Sequence, residues 1–305
     1  MDSISATRYA ESNVRLSLGP MPYFWPRAQT LAFYEAACEW PVEVVYLGET
    51  VCSKRRELRL RDWLSLAMLL QSVGKEVVLS SLTLIEAESE SGALKRLISA
   101  APGLVEANDL TAVSLCRQTG KNFVGGPGLN VYNAETMALL VADGMVRWVP
   151  GVEQGHVQLT HLLATADQSG IVLPELEMPV WGRPGLAWSA RCFTARALDL
   201  AKDDCGFRCI EFPDGLPLQT REGEPLLRLN GVQVLGETTV DLGPELPELR
   251  ELGVRIARIT PQAHNMHEVL TRFAKVWRDG LATPRVGAEN GYWREGPGNV
   301  QLPSR

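Results

Sequence analysis

The sequence has no excess of positive charge. Its 30 lysine and arginine residues are outnumbered by 36 aspartate and glutamate residues, which gives a formal net charge of −6 at pH 7. An acidic surface repels the phosphate backbone of DNA and RNA, and the chain has no long basic stripe interleaved with aromatic residues. The composition therefore argues against nucleic acid as a partner.

Long apolar runs are also missing, because no stretch reaches the roughly 18 apolar residues needed to span a bilayer. The first residues, MDSISATRYAESNVRLSLG, lack the positively charged region and the following apolar run of a secretory signal. We therefore expect a cytoplasmic protein without a transmembrane segment. In a reducing cytoplasm, the six cysteines are expected to be buried thiols or metal ligands rather than disulfides.

Apolar, strand-like runs alternate with helical patterns along most of the chain, at intervals of about 30 residues, as in repeated βα units. Residues 1–13 are polar, and we predict that they form a flexible tail. The strand-like runs cover residues 15–21, 42–49, 75–85, 103–108, 122–132, 145–151, 171–180 and 254–261.

This alternation predicts an α/β fold in which residues 14–305 form a single TIM-like (β/α) barrel domain, either closed or incomplete. An open, doubly wound sheet is the alternative. Residues 211–251 interrupt the alternation with closely spaced glycine and proline, which predicts an irregular insertion. Within the insertion, LLRLNGVQVLG is typical of a hairpin that turns at Asn230 and Gly231.

The six cysteines fall into two groups according to their neighbours. Cys38 and Cys116 lie on apolar faces of predicted helices, where a cysteine usually behaves as a small buried hydrophobe. The others have polar neighbours and follow predicted strands or form a C-x₃-C motif; they are Cys52, Cys192, Cys205 and Cys209.

The four cysteines with polar neighbours form a candidate metal site. Cys52 closely follows VVYLGE and Cys192 follows GLAWSA, just beyond the seventh strand-like run, so in a barrel both would open loops on the catalytic face. Cys205 and Cys209 are four residues apart, which on a helical turn places both sulfurs on one side. Four thiolates suit a 4Fe–4S cluster or a structural zinc ion, and unrelated thiols are the third alternative.

Arginines accompany two of these cysteines, in CSKRR and in SARCFTAR. The guanidinium fork binds carboxylates through two parallel hydrogen bonds. We therefore predict an anion or substrate site near the cysteines, formed by Arg55, Arg56, Arg191 and Arg196. The alternative is that these side chains offset thiolate charge or form structural ion pairs.

Several motifs resemble those of the UbiV family, within the collagenase-like peptidase (peptidase U) superfamily. They are SLGPMPYFWP, YLGETVCSKRR, WSARCFTAR, KDDCGFRC and NGYWR, and the resemblance is collinear from about residue 14 to residue 294. The chain shows no nucleophile paired with a base and no zinc-peptidase motif, so we do not expect peptidase activity.

The resemblance implies a TIM-like barrel that carries a 4Fe–4S cluster on Cys52, Cys192, Cys205 and Cys209. It also implies a heterodimer with UbiU, which acts beside the lipid-binding protein UbiT. Together these proteins support the oxygen-independent hydroxylation of ubiquinone precursors, with prephenate as the hydroxyl source. The resemblance assigns no catalytic residue to this chain. Hydroxylation of RNA bases, and a non-catalytic role as an electron-transfer or scaffold subunit, are the alternative functions.

Overall fold

Eight parallel strands form a closed barrel in the computed structural model, which describes residues 14–286 and 289–303. The tail predicted for residues 1–13 lies outside the described residues. Neighbouring strands pair in chain order, and the last strand (Ile256–Ile259) pairs with both the first (Arg15–Leu18) and the seventh (Glu175–Gly182), which closes the ring. The strands are β1 Arg15–Leu18, β2 Val44–Leu47, β3 Glu76–Ser80, β4 Val105–Ala107, β5 Phe123–Gly125, β6 Met145–Trp148, β7 Glu175–Gly182 and β13 Ile256–Ile259.

The closed ring confirms the predicted TIM-like barrel and excludes the open sheet. Each of the eight strand-like runs contains or overlaps one barrel strand. Strands such as β2, with the sequence VVYL, are buried at every position because helices cover the outer face and side chains fill the interior. This explains why the strands appear in the sequence as continuous apolar runs.

Helices follow the strands and pack on the outside of the barrel. Two of them begin at side-chain caps that the sequence provides: Asp109 Oδ1 accepts from the Thr111 N–H (2.7 Å), and Asn133 Oδ1 accepts from the Thr136 N–H (2.7 Å). The helices are α1 Arg27–Ala36, α2 Leu60–Ser72, α3 Glu88–Ala100, α4 Leu110–Thr119, α5 Ala134–Ala142, α6 His156–Gln168, α7 Phe193–Ala197, α8 Leu246–Glu251 and α9 Met266–Asp279. Within the described part of the chain, none of the helices has the length and apolarity needed to cross a bilayer.

The segment between β7 and β13 is an insertion that carries a second, antiparallel sheet with the order β8-β11-β10-β9. Its strands are β8 Gly185–Trp188, β9 Leu216–Gln219, β10 Pro225–Asn230 and β11 Gln233–Gly236, and the short β12 Val240–Asp241 pairs with the end of β7. The insertion predicted for residues 211–251 is confirmed, although it begins earlier, because GLAW forms β8 at its start.

The predicted hairpin is present between β10 and β11, with its turn one residue later than expected. Asn230 still pairs with Gln233, so Gly231 and Val232 are the turn residues. Gly231 has a φ of +64°, a conformation that glycine adopts without the steric cost of a Cβ.

Candidate functional site

The interior of the barrel contains a buried network of charged side chains. Arg258 on β13 donates from Nε to Glu177 Oε1 (2.7 Å) and from Nη1 to Glu106 Oε1 (2.7 Å). Its guanidinium also lies over the ring of Tyr46, with Cζ 4.0 Å from the ring centroid. Burial alone would raise the pKa of Glu177, but Arg258 and Arg147 hold it below its usual value. The network therefore keeps fixed charges in a place that apolar side chains could have filled.

The same network continues toward the end of the barrel where the strands begin. Arg147 on β6 donates to Glu175 Oε2 (2.8 Å) and to Glu76 Oε1 (2.9 Å). Arg15, the first residue of β1, also pairs with Glu76 and Glu175. Removing one partner from the fully buried part of the network, formed by Arg258, Glu106 and Glu177, would leave an uncompensated charge, which typically costs about 3–5 kcal/mol.

The opposite end of the barrel encloses a cavity of about 140 Å³, which we call the mouth cavity. The insertion covers it with side chains from β8 and β11, including Trp188 and Gln233. Active sites of (β/α) barrels lie at this end. All eight barrel strands contribute a lining residue at or just after their carboxyl ends, namely Gly19, Thr50, Thr83, Asn108, Pro127, Val149, Gly182 and Thr260.

Cys52 lies beside this cavity, in the loop between β2 and α2. Glu49 shapes the loop, because its Oε1 accepts from the backbone N–H groups of Val51 (2.8 Å) and Cys52 (3.1 Å). The Arg55 N–H closes a turn on the Cys52 carbonyl oxygen (3.0 Å). Thr50, two residues before the cysteine, lines the mouth cavity.

Cys192 caps the short helix α7, where its sulfur accepts from the Ala195 N–H at 3.4 Å. The sequence suggested that it follows the seventh barrel strand, but it follows β8 of the antiparallel sheet. Cys205 and Cys209 do not share one helical turn, because two separate 3₁₀ turns flank Gly206 and Phe207, which both have positive φ. The three cysteines after β7 therefore all belong to the insertion.

Cys52, Cys192, Cys205 and Cys209 share one neighbourhood, which we call the thiol cluster. Burial raises the pKa of Cys52 and of Cys209, and in both cases repulsion from Cys192 adds to the rise. Hydrogen bonding to Asp203 raises the pKa of Lys54, and both Cys205 and Cys52 contribute to the same shift. All four cysteines are half-buried free thiols. The fold thus brings Cys52 close to Cys192, Cys205 and Cys209, which lie 140 to 157 positions further along the chain.

The chemistry of the thiol cluster fits a four-thiolate metal group. Its donors are free, half-buried and close to the positive charges of Lys54 and Arg55. Among residues 14–286 and 289–303, however, no three histidine, cysteine, aspartate or glutamate side chains are arranged to hold a metal ion. Because burial raises the pKa of Cys52 and Cys209, these thiols are protonated without metal, and ligation would release their protons.

Arg55 is buried at the centre of this neighbourhood, with 5% of its surface exposed. It donates from Nη1 to the Pro22 carbonyl oxygen (2.9 Å) and from Nη2 to Asn230 Oδ1 (2.7 Å). Its charge and a hydrogen bond lower the pKa of Cys209 against the larger effect of burial. Arg55 Nε has no hydrogen-bond partner in the described part of the chain. Most of the guanidinium is therefore committed to structural contacts.

The other three arginines of the predicted anion site lie on the surface. Arg191 and Arg196 line an open depression of about 650 Å³ together with Cys192 and Lys202. Arg56 lines a different groove, between the β2–α2 loop and α3. Arg191 and Arg196 therefore lie together beside Cys192, and Arg55 lies on the buried side, beside Cys52 and Cys209, where it also lines the groove of Arg56.

The two remaining cysteines lie apart from this site. Cys116 on α4 is fully buried in the core, as predicted, and burial raises its pKa to about 11. Cys38 is half-buried just after α1 and packs against the core.

Sequence reasoning missed the barrel network and the mouth cavity. The available signal was the presence of single charges within apolar strands, such as Glu106 in VEA and Arg258 in IARI. A charge at such a position needs a buried partner, and the partners come from strands distant in the sequence.

The chain matches no protein-family model. Among solved structures, it is similar to a U32 peptidase, with a TM-score of 0.44 and 14% identity over 86% of this chain and 98% of that chain. It is also similar to tryptophan synthase from M. tuberculosis, with a TM-score of 0.45 and 9% identity over 90% of this chain and 94% of the other. Dihydropteroate synthase from Thermus thermophilus gives a TM-score of 0.42 and 12% identity over 90% and 97% of the two chains. Similarities at this level assign neither a family nor an activity.

Proposed function

We propose that this chain is the iron–sulfur subunit of an oxygen-independent hydroxylase that acts on ubiquinone precursors. In this proposal Cys52, Cys192, Cys205 and Cys209 hold a 4Fe–4S cluster. The observation that carries it is the shared neighbourhood of these four thiols, which come from a barrel loop and from three positions in the insertion. The motifs that resemble the UbiV family contain the same four cysteines.

A 4Fe–4S cluster on four thiolates would supply one-electron transfer at this end of the barrel. Neighbouring residues would hold the ligand loop in place and offset the charge of the cluster. Glu49 holds the loop of Cys52 through two backbone N–H groups. The buried charge of Arg55, beside Cys209, would offset part of the negative charge of four thiolates.

The partners follow from the same resemblance. We propose that the chain forms a heterodimer with UbiU, that UbiT presents the lipid precursor, and that prephenate supplies the hydroxyl group. The open depression beside Cys192 suits an approaching anion, because Arg191 and Arg196 line it and outnumber Asp199, while Lys202 is paired with Glu86. Of the four arginines, we therefore propose Arg191 and Arg196 as the residues that bind the anion.

The cluster can be tested on the full chain purified without oxygen. We expect a brown protein with about four iron and four sulfide per chain, as four-thiolate ligation requires. Replacement of any one cysteine of the thiol cluster by alanine should bleach the protein, whereas Cys38→Ala should not, because Cys38 lies outside the cluster. A colourless protein that holds one zinc ion per chain would overturn the proposal.

A purely electron-transferring role is the second candidate, because four cysteine ligands leave no iron open to substrate. An anaerobic assay of precursor hydroxylation with prephenate separates the two roles. Product from the chain alone would place the chemistry in this subunit. Product only after addition of UbiU, with loss of activity in the cluster-free variants, would assign electron transfer to this chain.

A further inference from the structure

The mouth cavity has the size of one six-membered ring. Its volume of about 140 Å³ is close to that of an engineered protein cavity of about 150 Å³ that binds benzene. None of the four cysteines of the thiol cluster lines it. The cavity is therefore a separate feature of the barrel end.

The walls of the cavity are largely apolar and rigid. Six prolines and two tryptophans supply much of the apolar lining: Pro20, Pro22, Pro127, Pro150, Pro179, Pro184, Trp181 and Trp188. Flat aromatic and proline surfaces favour a flat apolar ring, and fixed walls reduce the entropy lost when a ligand binds.

One polar group in the lining lacks a partner. Arg258 is 5% exposed and lines the cavity, and its Nε and Nη1 are bound by Glu177 and Glu106. Its Nη2 is buried and has no hydrogen-bond partner among the residues that the structure describes. A buried donor without an acceptor is rare in folded proteins and costs free energy, so an oxygen atom from a ligand would relieve this cost.

The charges around Arg258 restrict the kind of oxygen that can bind. The guanidinium already faces two carboxylates, Glu106 and Glu177, so a third negative charge beside it would be repelled. Glu106 also lines the cavity and retains acceptor capacity, since each carboxylate oxygen has two lone pairs. A hydroxyl group is neutral, and it can both accept a hydrogen bond from Arg258 and donate one to Glu106.

We propose that the mouth cavity binds a single six-membered ring that carries a neutral hydroxyl group, as in phenols. The ring packs against the proline and tryptophan walls, and its oxygen accepts from Arg258 Nη2. This site goes beyond the proposed iron–sulfur function, since it requires only residues of the barrel and its cover.

Three probes of similar size test the recognition on the full chain, with binding measured by calorimetry. Phenol is expected to bind. Toluene has no oxygen, and benzoate adds a negative charge, so each should bind at least about tenfold more weakly than phenol, the effect of one hydrogen bond to a charged group. Equal binding of phenol and toluene would overturn the role of Arg258. Tighter binding of benzoate would overturn the neutral class and assign recognition to Arg183, which also lines the cavity.

Two variants connect the binding to the cavity. Arg258→Lys keeps the positive charge but removes the Nη2 donor, so the affinity for phenol should fall about tenfold. Val152→Phe fills the cavity from its lining without touching the ion network and should abolish binding, whereas Val157→Phe on the exposed side of α6 should not. Unchanged phenol binding by Val152→Phe would overturn the proposal even if Arg258→Lys fails to fold. Iron content, measured on the same samples, reports separately on the thiol cluster.

Discussion

Arg55 and Asn230 are 175 positions apart, yet the Arg55 Nη2 donates to Asn230 Oδ1 at 2.7 Å. Both side chains also donate to the carbonyl oxygen of Pro22, at 2.9 and 2.8 Å. The residue after Asn230 binds α7, because the Phe193 N–H donates to the Gly231 carbonyl oxygen at 2.7 Å. One buried guanidinium thus joins the loop of Cys52 to the part of the insertion that carries Cys192.

Arg55→Lys should loosen this connection, because an ammonium group cannot reproduce the forked contacts to Pro22 and Asn230. We expect a loss of about 1.5–3 kcal/mol in the free energy of unfolding, the contribution of a hydrogen bond from a charged group. Denaturant unfolding measures the loss, and iron analysis should show a lower cluster content. Arg56→Lys on the surface is the matched control, and equal effects of the two changes would contradict this role of Arg55.

Gly231→Ala should destabilise the same region for a steric reason. A Cβ at this position would lie 2.9 Å from Arg55 Nη2, and the backbone has a φ of +64°. Gly223→Ala is a matched control, since Gly223 has a φ of +87° and a Cβ added there would have nothing within 4 Å. Both changes should cost about 1 kcal/mol for the backbone conformation. The Gly231 variant should lose more in denaturant unfolding, and equal losses would show that the contact with Arg55 is unimportant.

Stability should fall at high pH partly because of Cys116. Burial raises its pKa from the usual 9.0 to about 11, so the folded state favours the neutral thiol. The contribution of the neutral Cys116 thiol to the free energy of unfolding is complete below pH 9 and is lost as the pH rises through 11. Cys116→Val removes the titrating group, so its free energy of unfolding should fall less than that of the parent chain between pH 9 and 11. Identical pH profiles, measured by denaturant unfolding, would rule out this contribution.

Arg191→Ala and Arg196→Ala should leave the fold and the thiol cluster intact, because both side chains are exposed. If the depression beside Cys192 receives an anion, each change should lower hydroxylation in the reconstituted complex by about tenfold or more, the effect of one charge-assisted contact. Arg221→Ala, an exposed change on the turn between β9 and β10, serves as the control. Full activity with a full complement of iron in both variants would argue against an anion site there.

The barrel could be predicted from the sequence because each strand is a short apolar run, and the run is visible without knowledge of its partners. The role of Arg258 could not, because the function of the one arginine in the strand IARI is apparent only when closure brings Glu106 and Glu177 beside it. Pairings between distant strands leave no local pattern in one sequence.

The candidate site could also be predicted only in part. The four cysteines could be selected by their polar neighbours, and the fold places them in one neighbourhood. Their local geometry was predicted less well, because the positive φ of Gly206 and Phe207 breaks the helical turn expected for Cys205 and Cys209. The hydrogen bond from Arg55 to Asn230 could not be predicted, because Asn230 belongs to a hairpin whose position relative to Arg55 the sequence does not reveal.

Closure of the barrel by β13 has a consequence for folding during synthesis. This strand is made after the whole insertion, and it pairs with both β1 and β7. Until it leaves the ribosome, β1 and β7 each have one unpaired edge, Glu106 lacks the charge of Arg258, and Glu177 has only Arg147 to offset its own charge. The first seven strands therefore cannot close the ring by themselves, and the barrel should become stable only after β13 and the insertion before it have been translated.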